Sequence, residues 1–241
     1  MLAATLEDAW QVTYEIAARA GGDPGFAGLI GPATVPPAKR PRAIAVLETE
    51  GWEAAEPEAR LCVEEALYTL AKAGIEVLRR DEPAVADVEE AVADAFVLSR
   101  AIIAWESRWP INVYRNRDAA GLSRMMLARL AEAEAMTIDG YRALLKRRAD
   151  ARACYAALAR LCDACITLSA LGPAPLGLGS TGDPRFAVPS SLLGVPALSL
   201  PVFKIDGLPL GLQVIGFEDG DADLFAHAAF VLEQLAESKV E

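Results

Sequence analysis

The sequence predicts an α/β fold, a mixed β-sheet flanked by helices, on three observations. Residues 43–47 and 75–78 are short apolar runs with a helical pattern between them. Strand, helix, strand with short links is a βαβ crossover, so these two strands are expected to be parallel. Residues 196–203 and 208–216 are two further apolar runs joined around Asp206-Gly207, a hairpin signal because Gly accepts the positive φ such a turn needs. Finally, the stretches around these runs repeat apolar residues every three or four positions. The sum is about five strands interleaved with about six helices, parallel early and antiparallel at the hairpin. Hydrophobic continuity on both hairpin strands predicts burial on both faces, deep in a larger sheet.

Taken in order, Thr5 is placed to cap a helix with Asp8 three residues on. Leu6, Trp10, Thr13, Ile16 and Ala17 hold helical spacing until Gly21-Gly22-Asp23-Pro24 stops it. Residues 25–41 are rich in Pro and Gly and read as loop. Pro57 suits a first helical turn; Ala59, Cys62, Val63, Ala66, Leu67 and Leu70 form one apolar face, and Gly74 ends it. Pro83 begins a helix whose Val85, Val88, Val92, Ala95, Phe96, Ser99, Ile102 and Ile103 continue the period as far as Trp109-Pro110. Helices over 123–135 and 138–162 follow, then a strand at 165–169, the loop Gly172-Pro173-Ala174-Pro175, and a last helix from Asp221 to Glu237 with Asp221 as its cap. No repeat or low-complexity linker divides the chain, so residues 1–241 read as one domain.

Composition narrows the function classes. The chain is 53% hydrophobic and 24% charged, which is globular. A formal net charge of −11 argues against nucleic acid and against an anionic membrane surface as partners. No apolar run is long enough to span a membrane and no signal pattern opens the chain, so a cytoplasmic location is the expectation. Cys162-x-x-Cys165 sits where a helix gives way to a strand and lacks further ligands, so it reads as buried apolar cysteine and no metal is assigned.

Other chemistry-bearing patterns reduce to structure. Gly177, Gly179 and Gly182 match G-x-G-x-x-G, but a Pro-containing loop precedes them and Asp183-Pro184 follows where a helix should open. His227, the sole histidine, lies at the margin of an apolar helix face with no G-x-S-x-G elbow to serve. The basic run Arg142, Lys146, Arg147, Arg148, Arg152 reads as a solvated face pairing with carboxylates. Gln213, mid-strand between Leu212 and Val214, reads as a group satisfying backbone polar atoms.

One stretch carries more. Thr181-Gly182-Asp183-Pro184, then Pro189, then Ser191-Leu192-Leu193-Gly194-Val195-Pro196-Ala197, then Gly207-Leu208-Pro209-Leu210-Gly211-Leu212-Gln213 resembles the C-terminal region of the amidase signature family. Met1-Leu2-Ala3-Ala4-Thr5-Leu6-Glu7-Asp8-Ala9-Trp10 resembles the segment after that family's nucleophile, where Gly-Pro-Met-Ala-Arg-Ser-Val-x-Asp-Ala is typical. The resemblance covers the chain strongly at both ends and loosely from 50 to 160.

The resemblance implies a serine nucleophile activated by a second serine and a lysine, with backbone N–H groups of a Gly/Ser-rich loop holding the oxyanion. That chemistry needs a run such as G-G-S-S-G-G and an upstream lysine. The Ser-Ser here is Ser190-Ser191 between Pro189 and Leu192, and no lysine precedes Lys39. The chain is therefore expected to be the C-terminal portion of an amidase-type hydrolase acting on carbon-nitrogen bonds, a partial domain whose catalytic residues lie upstream of Met1. The alternative is a non-catalytic binding or scaffold protein derived from an amidase. Thr181, Gly182, Asp183 and Phe186 are implied as pocket walls, with Ser191 at a position where the family often has Asn; the plainer reading is that these residues shape a tight loop. No cofactor is implied. The expected partners are an N-terminal amidase half or a second copy through an exposed sheet edge, with a small amide as substrate once completed.

Overall fold

The described residues form five strands, β1 (Ala43–Val46), β2 (Glu76–Leu78), β3 (Ala164–Leu168), β4 (Ala197–Ile205) and β5 (Leu208–Ile215), side by side in the order β2-β1-β3-β5-β4. The computed structural model describes residues 1–22 and 28–237; residues 23–27 of the predicted helix stop and loop lie outside them. β1 runs parallel to β2 and β3, and β5 runs antiparallel to β3 and β4. The sheet is thus the mixed one the sequence predicts, with the βαβ crossover through α2 (Pro57–Lys72).

Alternation on the buried strands feeds two cores. Ile44, Val46, Ala164, Ile166, Leu168, Leu212 and Val214 point to one face, where α2 and α8 (Asp221–Glu237) cover them. Ala43, Ala45, Cys165 and Ile215 point to the other, against α3 (Pro83–Ala91), α4 (Ala95–Arg117), α6 (Ile138–Leu158) and α7 (Val188–Leu193). Two-sided burial explains why β1 and β3 read as unbroken apolar runs. Cys162 and Cys165 are part of the second core, and burial raises the Cys165 thiol well above its ordinary range.

The helix starts follow local chemistry. Thr5 accepts from the Asp8 N–H at 3.0 Å to open α1 (Leu6–Ala20), and Gly21, at φ 71°, closes it. Ser123 and Thr137 accept from the N–H groups of Met126 and Gly140, at 3.2 and 3.0 Å, to open α5 (Arg124–Ala135) and α6. Asp221, expected as the cap of α8, is its first residue: the Gly220 carbonyl accepts the Leu224 N–H at 2.9 Å, and the Asp221 carboxylate accepts the Ile30 N–H at 3.2 Å, which holds the N-terminal loop to the last helix. On α6, Arg142, Lys146 and Arg147 pair with Asp139, Asp150 and Asp94.

Four expectations are corrected. The helix expected from 83 to 110 is two, because the chain turns at 92–94 while the apolar spacing runs on; the second then continues past Pro110 to Arg117 with a kink at Trp109 (φ −92°, ψ 80°). That geometry follows from the clash of a proline ring with the residue before it. The helix expected to reach Cys162 ends at Leu158. The six-residue α7 forms in a stretch for which the sequence gives no helix signal. Lastly, of the two hairpin strands only β5 lies inside the sheet: β4 is an edge strand with Ala197, Ser199, Pro201 and Lys204 facing solvent. A register shift between Leu200 and Phe203 brackets Pro201, which has no N–H to offer a further strand.

Asp206 and Gly207 make the hairpin turn at φ 50° and 81°. Both angles are positive, as the two central residues of the tight turn that matches strand twist require.

Candidate functional site

The carboxyl ends of β1 and β3 point the same way, since the strands are parallel and adjacent. The chain leaves β1 toward α2 on one face of the sheet and leaves β3 toward α7 on the other. Such divergence opens a crevice beyond the strand ends, where ligands bind in open α/β sheets. An open cleft of about 990 Å³ lies there, between Glu50 and Glu56 after β1, the loop from Ser169 to Arg185 after β3, Phe96 at the start of α4, and Pro209 to Gly211 on β5.

Its walls are fixed from behind. Glu89, on α3 and 5% exposed, accepts the backbone N–H groups of Glu48 and Thr49, the latter at 2.9 Å. Thr49 sits at φ 54°, a left-handed conformation that costs energy in a β-branched residue; the Glu89 carboxylate holds it there. Burial pushes the Glu89 carboxyl above its ordinary range, against the opposing pull of those two N–H groups. One residue further, Glu50 accepts the Phe96 N–H at 3.2 Å, in the first turn of α4. Gly172 leaves room for the Glu56 side chain, which a Cβ there would strike.

The loop after β3 is tied by its own side chains. Ser180 accepts the Gly182 N–H at 3.1 Å, and Gly182 needs its φ of 92° rather than space, since nothing stands within 4 Å of where a Cβ would be. Asp183 accepts the Arg185 N–H at 3.0 Å and holds the Arg185 guanidinium at 3.0 and 2.9 Å. On the sheet side, the Ser169 and Ser199 hydroxyls lie 2.6 Å apart, across Gly211. Gly211 admits both, because a Cβ there would meet each oxygen.

Of the residues named from sequence, Thr181, Gly182 and Asp183 line the cleft. Phe186 is fully buried beneath it, its ring against Gly51, and its carbonyl accepts from Gln213 Nε2 at 2.8 Å. Gln213 thus satisfies a backbone group, as its mid-strand place suggests. Ser191 is exposed on α7, its hydroxyl toward the Ala187 carbonyl at 3.4 Å, and lies outside the cleft lining. Ser190 is buried and donates to the same carbonyl at 3.0 Å. Sequence reasoning missed Glu50, Glu56, Ser169, Arg185 and Gly211; the position of the first two just past a parallel strand was the available signal.

Chemically, the lining among the described residues holds the hydroxyls of Ser169, Ser180 and Thr181, three carboxylates and one guanidinium, and neither a lysine nor a histidine; Ser199 meets Ser169 from outside the lining. A serine needs a proton acceptor to attack; the ionisable groups of this lining are the carboxylates of Glu50, Glu56 and Asp183 and the Arg185 guanidinium.

The mixed sheet flanked by helices matches the fold of solved amidase signature enzymes. A solved amidase superposes with a TM-score of 0.68 at 24% identity, over 83% of this chain and 47% of that one. The 6-aminohexanoate cyclic dimer hydrolase, in complex with substrate, gives 0.66 at 19% identity over 92% and 53%, and a bacterial aryl acylamidase gives 0.64 at 17% over 83% and 45%. The family model Amidase matches residues 1–225, and the chain belongs to that family. Among curated proteins, the fatty acid amide hydrolase of Medicago truncatula is 42% identical over 81 residues, 31% of this chain and 13% of that protein. A glutamyl-tRNA(Gln) amidotransferase subunit of Prosthecochloris aestuarii is 46% identical over 57 residues, 19% and 12%. The chain spans about half the length of the solved structures it matches.

Proposed function

We propose that this chain forms the substrate-side wall of a hydrolase acting on carbon-nitrogen amide bonds and supplies no nucleophile of its own. The observation that carries the reading is a cleft lined by the hydroxyls of Ser169, Ser180 and Thr181, with no lysine or histidine in its lining among the described residues. Membership of the Amidase family and relatives whose names specify amide or acylamide bonds support the substrate class.

In this reading Thr181, Gly182, Asp183 and Arg185 bound the substrate on one side, and Glu50 and Glu56 on the other. Phe186 acts indirectly, through the packing that seats the Thr181–Arg185 loop. Ser191 has no role at the cleft. The nucleophile, its partner serine and the lysine reside in an N-terminal portion of the fold, which is the partner this chain requires. Leu176 and Leu178, 98% and 105% exposed on the cleft loop, fit a surface that such a partner covers. Pro201 and the bulge at the β4 edge oppose the other option, sheet extension by a second copy.

The test joins the chain to an amidase N-terminal portion and assays hydrolysis of small aliphatic and aryl amides. Hydrolysis by the joined protein and none by residues 1–241 supports the reading. Binding of amides without turnover in the joined protein favours a binding or scaffold role instead.

A further inference from the structure

A second pocket, of about 330 Å³, lies between the start of β3, the turn after β5 and α8. Four carboxylates line it, Asp163, Glu218, Asp219 and Asp223, with a single ammonium, Lys39. The sole histidine, His227, is 3% exposed and forms part of its wall.

The lysine is pinned across α8. Its N–H donates to the Ala226 carbonyl at 2.9 Å, its own carbonyl meets His227 Nδ1 at 2.9 Å, and its Nζ pairs with Asp223 at 2.8 Å. A carbonyl oxygen only accepts, so the Nδ1 contact places the imidazole proton on Nδ1 and leaves Nε2 with its lone pair. Nε2 has no hydrogen-bond partner among the described residues, yet it is not one of the sealed, unpartnered polar atoms, which are Asn112 Oδ1 and Thr167 Oγ1. It therefore opens onto the pocket that His227 lines. Asp163 is held in place by the Arg42 backbone N–H and, more loosely, the Arg42 guanidinium at 3.5 Å.

Beyond Lys39 the charged side chains of this wall are all carboxylates, and an unfilled acceptor on a nearly buried ring calls for a donor. We propose that the pocket binds a small protonated amine, whose N–H groups donate to His227 Nε2 while Asp163, Glu218, Asp219 and Asp223 hold its charge. The site stands whether or not the main cleft hydrolyses amides.

The sole histidine makes the test direct, because the imidazole nitrogen signals of the intact chain belong to His227 alone. The chain is titrated at pH 8 with n-propylammonium chloride through the millimolar range, at constant ionic strength set with sodium chloride. Tetramethylammonium, equally charged and without N–H groups, is the control. The expected result is a saturable upfield movement of the Nε2 resonance with propylammonium, an unmoved Nδ1–H, and no saturable response to tetramethylammonium. No movement with propylammonium, or equal movement with both cations, overturns the proposal. A Glu218→Gln, Asp219→Asn double variant, with Asn tolerating the left-handed φ of 57° at 219, is expected to bind propylammonium several-fold more weakly. Unchanged affinity would overturn the part assigned to those carboxylates.

Discussion

Gln213 Nε2 donates to the carbonyl of Phe186 at 2.8 Å, joining β5 to the segment that leaves the cleft loop 27 residues earlier. Both residues are buried, so removing the donor leaves a carbonyl with no water to take its place. Gln213→Leu is expected to destabilise the chain by about 1–3 kcal/mol, read from urea unfolding; a change within a few tenths would show that the bond contributes nothing.

Gly211 is where two serines meet over the sheet. Gly211→Ala drives a methyl into the Ser169 and Ser199 hydroxyls, and overpacking of that kind costs about 1–3 kcal/mol. Because the clash is with the oxygens, Ser199→Ala in the same chain should recover part of the loss. A double-mutant cycle reports this as a coupling energy of at least about 0.5 kcal/mol; strict additivity would place the clash elsewhere.

Glu89 sets a pH dependence with a definite sign. Burial raises its folded pKa above the ordinary carboxylate value, so the fold holds that proton more tightly than the unfolded chain does. Its contribution is fully present below the unfolded Glu range and is lost as pH rises through the folded pKa. The stability of the natural chain minus that of Glu89→Gln should therefore fall as pH rises above the ordinary Glu value of about 4.3. A difference that is flat or rises over this range contradicts the assignment.

Asp183 holds the cleft loop through three contacts to Arg185. Asp183→Ala releases that guanidinium and the backbone beside it, so trypsin should cleave after Arg185 several-fold faster while the melting temperature barely moves, since loop order and global stability are separable. Equal cleavage rates would show that Phe186 alone anchors the loop.

Local chemistry was legible in the sequence. Thr5 as a cap, Pro57 and Pro83 as first-turn residues, and Asp206-Gly207 as the hairpin turn all act through neighbours a few positions away. The break at 92–94 was hidden because Val88, Val92, Ala95 and Leu98 keep one apolar stripe through it, each helix burying its share in the same core. The edge position of β4 was hidden for a related reason: Leu198, Leu200 and Val202 read as apolar whichever neighbour the strand has. The cleft is the harder case. Glu50, Glu56, Ser169 and Gly211 come together only because β1, β3 and β5 are adjacent, and strand order is not written in any one segment. Thr181, Gly182 and Asp183 were found through a resemblance carried by the residues themselves, while Phe186, in the same stretch, is turned inward to the core.

The central claim, that this chain shapes an amide-binding cleft without its own nucleophile, is tested most directly by a fluorophosphonate probe on residues 1–241, read by intact mass and peptide mapping. The account predicts no adduct above that of the denatured chain. Stoichiometric labelling of Ser169, or of Ser199 beside it, in the folded chain would contradict it and place an active serine at the cleft.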